Sequence, residues 1–112
     1  MKVIKINNKD YVLKFTSKAI SELNSKGITL NSLIHDLESM VVNNLYEAFM
    51  HGLKTMQHDI TQDKAFSIID EYFEESEEND MEKFFYIVLE EYARSLGLGK
   101  KFRELIEQQK ME

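Results

Sequence analysis

The side chains that could do chemistry in this sequence are three histidines and twenty aspartates and glutamates. Cysteine is absent, which excludes a thiolate metal site, a Cys nucleophile and a disulfide framework. Glu47 and His51 are spaced i, i+4, so a helix would present both on one face at a separation that suits a metal ion. No second ligand pair lies nearby in the chain, and the pair therefore reads as a solvated contact. His35-Asp36 and His58-Asp59 are neighbours whose side chains diverge on any helix, and both read as surface.

The remaining motifs of catalysis are also missing. Gly27, Gly52, Gly97 and Gly99 fit neither a nucleophile elbow, nor a phosphate-binding loop, nor an EF-hand turn. Gly97-Leu98-Gly99-Lys100 is too short for a phosphate loop and reads as a helix stop. Carboxylate pairs could be drawn from the acids between Asp70 and Glu82, but exposed acids at a helix end have no reason to acquire the separated pKa values that glycoside hydrolysis needs. The expectation is a protein that is not an enzyme and uses no cofactor and no metal.

Charge narrows the partners. The net charge of −6 argues against a nucleic-acid binder, which needs clustered Lys and Arg. Asp70, Glu71, Glu74, Glu75, Glu77, Glu78, Asp80 and Glu82 lie close together and read as a solvated helix end and loop; docking of a basic partner and imitation of DNA are the alternatives. At 112 residues the chain can bury one core, roughly two thirds of its unfolded surface. With 43% hydrophobic and 30% charged residues, wholesale disorder is excluded. No apolar run approaches the roughly 20 residues of a bilayer span, and MKVIKINNKDYV lacks the apolar block of a signal peptide. These features predict a soluble, cytoplasmic protein with no membrane partner.

The elements that must position any functional surface are mostly helices. Val41 to Met56 is the organising stretch: Val41, Val42, Leu45, Tyr46, Phe49, Met50, Leu53 and Met56 fall on one broad side of a helix, with Asn43, Asn44, Glu47, His51, Lys54 and Thr55 opposite. One neighbour cannot cover so wide a stripe, so this helix belongs at the centre of the fold. Before it, Val3–Ile6 and Tyr11–Phe15 flank Asn7-Asn8-Lys9-Asp10, the pattern of a β-hairpin, which must lie on helices or pair with another chain's edge. Thr16 or Ser17 caps a helix to about Lys26, stopped by Gly27, and Thr29 caps another carrying Leu30, Leu33, Ile34 and Leu37. The apolar phase carries on through Met40 and Val41, consistent with one long helix bent near Glu38-Ser39-Met40. A helix over 62–75 follows Thr61 or Asp59, another runs from Met81 to Leu96 after an Asn79-Asp80-Met81-Glu82 start, and Gly97 ends it. The predicted fold is mainly α, a small helical domain of about five helices with an N-terminal β-hairpin. Residues 1–99 form the domain, and 100–112 form a charged C-terminal helix or tail.

Phe66, Tyr72, Phe73, Phe84, Phe85, Tyr86 and Tyr92 are many aromatics for so small a core, and Met40, Met50, Met56 and Met81 add adaptable surface. Apolar area left uncovered marks a partner site.

The order of VIKINNKDYVLKF, a helix closing on GITL, NNLYEAFMHGLKTM, DITQDKAFSIIDEYFEE and a last helix before a charged tail resembles the tail assembly chaperones of long-tailed phages of Gram-positive bacteria, the lactococcal version most of all. The resemblance covers about residues 1–99 and implies a non-enzymatic chaperone. Such a protein binds the tape measure protein and keeps that long helical chain soluble until the tail tube polymerises around it. It also implies self-association into a ring or spiral, a place in the host cytoplasm, and absence from the mature virion. A longer frameshifted product, with a slippery run encoding Gly99-Lys100-Lys101, belongs to the same pattern. No family residue set carries over as a binding site. From the residues themselves, the candidates are Tyr46, Phe49, Met50 and Leu53 for the partner, and Ile87, Phe102, Leu105 and Ile106 for subunit contacts. The competing functions are an acidic DNA mimic with antirestriction activity and a small structural adaptor of the virion.

Overall fold

The computed structural model describes the backbone of residues 1–111 and the side chains of residues 1–108. Strands β1 (Lys2–Ile6) and β2 (Lys9–Leu13) pair antiparallel, with Ile6 opposite Lys9 across a two-residue turn. Asn7 (φ 52°) and Asn8 (φ 64°) are both left-handed, a backbone that asparagine tolerates and that matches the twist of the flanking strands. Among the described residues six helices follow: α1 (Ser17–Ser25), α2 (Leu30–Ser39), α3 (Asn43–Lys54), α4 (Gln62–Glu75), α5 (Met81–Ser95) and α6 (Gly99–Met111). The fold is mainly helical with an N-terminal hairpin, as the sequence predicts.

Capping explains most of the boundaries. Thr16, Thr29, Thr61 and Asp80 each accept a backbone N–H three residues on, and Thr29 with Ser32 forms a reciprocal box. The cap of α5 is thus Asp80, while the Asn79 side chain turns back to donate to the Tyr72 carbonyl at 2.8 Å. At the other ends, α1, α2 and α5 close with the same paired bonds, in which successive N–H groups reach back three and five residues: Gly27 and Ile28, Met40 and Val41, Gly97 and Leu98. Two of these stops use glycine in the left-handed region. The third uses Met40, at φ 55°.

Met40 is where the single-helix expectation for this region fails. Its left-handed backbone ends α2 and separates it from α3, which gives six helices instead of about five. Val41 and Met56, placed on the central stripe by periodicity, lie outside α3 and are 45% and 49% exposed.

Within its shorter span α3 is central, touching β2, α1, α2, α4 and α5. Leu45, Ala48, Phe49 and Leu53 are sealed in the core with Phe84, Phe85, Val88, Leu89 and Tyr92 of α5. Phe49 meets Phe84 edge-on at 4.9 Å, and Phe15 tilts against Tyr92 at 5.2 Å. Helix α6 packs on α5, with Phe102 buried against Tyr86 at 5.8 Å.

His51 departs from its expected place. It is buried, because α1 packs over this face of α3 and brings Glu22 to it. Its Nε2 lies 3.3 Å from Glu47 Oε1 and its Nδ1 3.5 Å from Glu22 Oε2. Glu47 also accepts from the Lys26 ammonium at the end of α1. The Glu47–His51 pair is therefore part of the α1–α3 interface.

Candidate functional site

Two grooves each hold part of one set of sequence candidates. The first lies between α3 and the start of α4. Tyr46 and Met50 line it with Ile28, Ala65, Phe66 and the polar rim of Lys26, Asn43, Asn44, Glu47 and Gln62, around a cavity of about 410 Å³. Tyr46 and Phe66 stand edge to face, centroids 5.8 Å apart, with Phe66 38% exposed. Burial raises the Tyr46 pKa, and the Asp70 carboxylate adds to the shift, so its hydroxyl stays a neutral donor at the edge of the groove. Phe49 and Leu53, proposed with them from sequence, point the other way into the core, 1% and 0% exposed. The reason is helical geometry: a helix touching five neighbours spends the middle of its stripe on packing and leaves only one margin, Tyr46 and Met50, half-buried.

The second groove runs between α2, α5 and α6. Ile87, Phe102 and Ile106 line it with Leu37, Tyr72, Tyr86 and Leu89, and Asp80, Glu82 and Lys83 form a charged rim around about 660 Å³. Three of the four proposed subunit-contact residues thus share one cavity wall. Leu105, the fourth, faces outward at 41% exposure. Burial raises the pKa of Tyr72, helped by Asp80 and Glu75, and that of Tyr86, helped by its bond to Glu90, so both ring hydroxyls remain protonated at neutral pH.

Phe66 is the functional candidate that the sequence marks only as one of the surplus aromatics. Its signal was its position: with Phe73, two turns on, it stands at the margin of the α4 stripe, whose buried centre is Ala65, Ile68, Ile69 and Tyr72. Chemically, the groove between α2, α5 and α6 offers mainly apolar walls and the one between α3 and α4 an apolar ledge in a more polar setting; each adds a neutral hydroxyl donor and a charged rim, equipment for receiving an amphipathic helix. Among the described residues, no group of three or more His, Asp or Glu is arranged to hold a metal ion, and no helix is long and apolar enough to cross a membrane.

The family model described as phage tail assembly chaperone protein, TAC, matches residues 3–107, nearly the whole chain and all of the elements that build the two grooves. No curated protein and no solved structure matches the chain. On the extent of that match, the chain belongs to the phage tail assembly chaperone family.

Proposed function

We propose that this chaperone binds the tape measure protein and keeps it soluble until tail-tube subunits polymerise around it. The observation that carries the reading is the open ledge of Tyr46, Met50 and Phe66 on a member of a tail assembly family. A long helical chain presents apolar stripes at helical spacing, and a short groove walled by aromatic and methionine side chains covers such a stripe without demanding one sequence. The role is non-enzymatic. The protein acts in the host cytoplasm, self-associates as a ring or spiral so that several ledges act on one client, and is absent from the finished virion. The segments VIKINNKDYVLKF and NNLYEAFMHGLKTM support a place among the chaperones of long-tailed phages of Gram-positive hosts, the lactococcal kind in particular.

Co-expression with a tape measure fragment tests the reading. The fragment should become soluble and co-purify, and a Tyr46→Ser, Phe66→Ser double variant should fold but lose most of that effect. An insoluble fragment with the unaltered chaperone present would reject it. Mass spectrometry of purified virions should find no copy of this chain.

A further inference from the structure

The two edges of the hairpin are treated differently. In β2 the outward-facing backbone groups of Val12 and the N–H of Lys14 are closed, whereas nothing among the described residues bonds to those of Asp10. The Gln57 side chain accepts from the Val12 N–H at 2.8 Å and donates to the Val12 carbonyl at 3.0 Å, and the Lys14 N–H donates to the Gly52 carbonyl at 2.9 Å. A glutamine amide thus takes the place of a third strand. On β1 the register pairs Lys2, Ile4 and Ile6 with Leu13, Tyr11 and Lys9, which alternation makes the hydrogen-bonded pairs; the backbone of Val3 and Lys5 then faces away from β2. Among the described residues nothing bonds to those groups. Beside them runs a groove of about 440 Å³, with β1 on one side and Tyr72, Glu75, Asn79 and Ile87 on the other.

We propose that β1 is an assembly edge that pairs antiparallel with β1 of a second copy of this chain. The inference rests on the self-association proposed above and names one two-fold contact in it, which by itself makes a dimer; a ring or spiral needs a second contact between such dimers. Centred on Ile4, the pairing sets Val3 opposite Lys5 of the second copy and Lys2 opposite its Ile6. The two Val3–Lys5 pairs then supply about four backbone hydrogen bonds. Edge lysines oppose pairing when they face one another, and in this register neither does. Charge is complementary instead. Lys2 shares the helix-facing side of the strand with Ile6, and Ile6 adjoins Asn7, whose N–H reaches Glu75 Oε1 at 3.5 Å. Each Lys2 therefore arrives beside the Glu75 of the other copy. The pairing also covers Val3, which is 52% exposed in the single chain.

Sedimentation velocity on the full chain tests this with three variants. Lys5→Pro removes one outward N–H per strand without touching a bond to β2, and proline is tolerated on an edge. It should keep the melting temperature and weaken association by about tenfold to a hundredfold, the loss expected for two backbone bonds per pair. Lys2→Glu and Glu75→Lys should each weaken it, and the two together should restore it, a pattern that decides the matter even if the proline variant fails to fold. If the unaltered chain is monomeric at every concentration, this contact and self-association both fall. If it associates but Lys5→Pro and the charge variants associate equally well, self-association stands and the β1 edge is wrong.

Discussion

Leu13 closes against the bare backbone of Gly52: a Cβ on Gly52 would overlap Leu13 Cδ1 and stand 2.9 Å from Phe15 Cζ. Both neighbours are buried, so neither can swing aside. This contact seats the hairpin on the central helix, and Lys14 bonds to the Gly52 carbonyl at the same point. Gly52→Ala gains about 1 kcal/mol of helix propensity and costs about 1–3 kcal/mol of overpacking. The expected outcome is a net loss of stability, larger for Gly52→Val, read as a fall in the urea midpoint with unchanged slope.

Phe49 is the second test, because its place in the sequence stripe left both core and binding roles open. Buried against Phe84, it should cost about 3–5 kcal/mol as Phe49→Ala, a large share of a small domain's stability. Phe49→Asp should not fold, as read by far-ultraviolet circular dichroism and a lost thermal transition. A folded Phe49→Asp protein that has lost only partner binding would reverse the assignment.

The start of α4 hangs on one side chain. Thr61 accepts the Lys64 N–H at 3.2 Å, so Thr61→Ala should cost about 1 kcal/mol, whereas Thr61→Asp should restore the cap. Amide hydrogen exchange should show the loss as faster exchange at Lys64 and its neighbours in the first turn.

Acid should loosen the α1–α3 interface. The Glu47 carboxyl is held below its ordinary pKa chiefly by the hydrogen bond from Lys26, against the opposing effect of burial, with the charges of Lys26 and His51 adding to the lowering. A carboxyl whose folded pKa is depressed contributes stability above its unfolded value, and that contribution disappears as pH falls through the folded one. Stability should therefore decline from the ordinary carboxylate range downward. Glu47→Gln should show a shallower decline there, and Lys26→Met should remove most of the difference. Equal slopes for Glu47→Gln and the unaltered protein in pH-dependent urea melts would contradict this.

Much of this architecture is legible locally. Asn7-Asn8-Lys9-Asp10 predicts the hairpin turn, Gly27 and Gly97 predict helix stops, and Thr61 or Asp59 and the Asn79-Asp80 pair mark two helix starts, because each depends on backbone preferences within a few residues; that the turn is only Asn7-Asn8 and the cap of α5 is Asp80 was decided by the structure. The sequence places a bend near Met40 without resolving it as a full break, for the converse reason. A left-handed methionine carries no local signature, and the apolar phase continues past it from Leu37 to Leu45, so the break between α2 and α3 cannot be read from periodicity.

By itself, then, the sequence determined the element types, most of their caps, the central position of the helix within Val41 to Met56 and the surplus of aromatic and methionine side chains over what one core needs. Only the tertiary structure decided which members of each stripe are covered. Phe49 and Leu53 are buried while Tyr46 and Met50 stay open, His51 is enclosed by Glu22 from α1, and Gln57 seals β2 while β1 remains free. Periodicity reports the face of a helix or strand and nothing about what arrives against it. Coverage is set by contacts between residues far apart in the chain, such as Val12 with Gln57 and Leu13 with Gly52, and those exist only once the elements have packed.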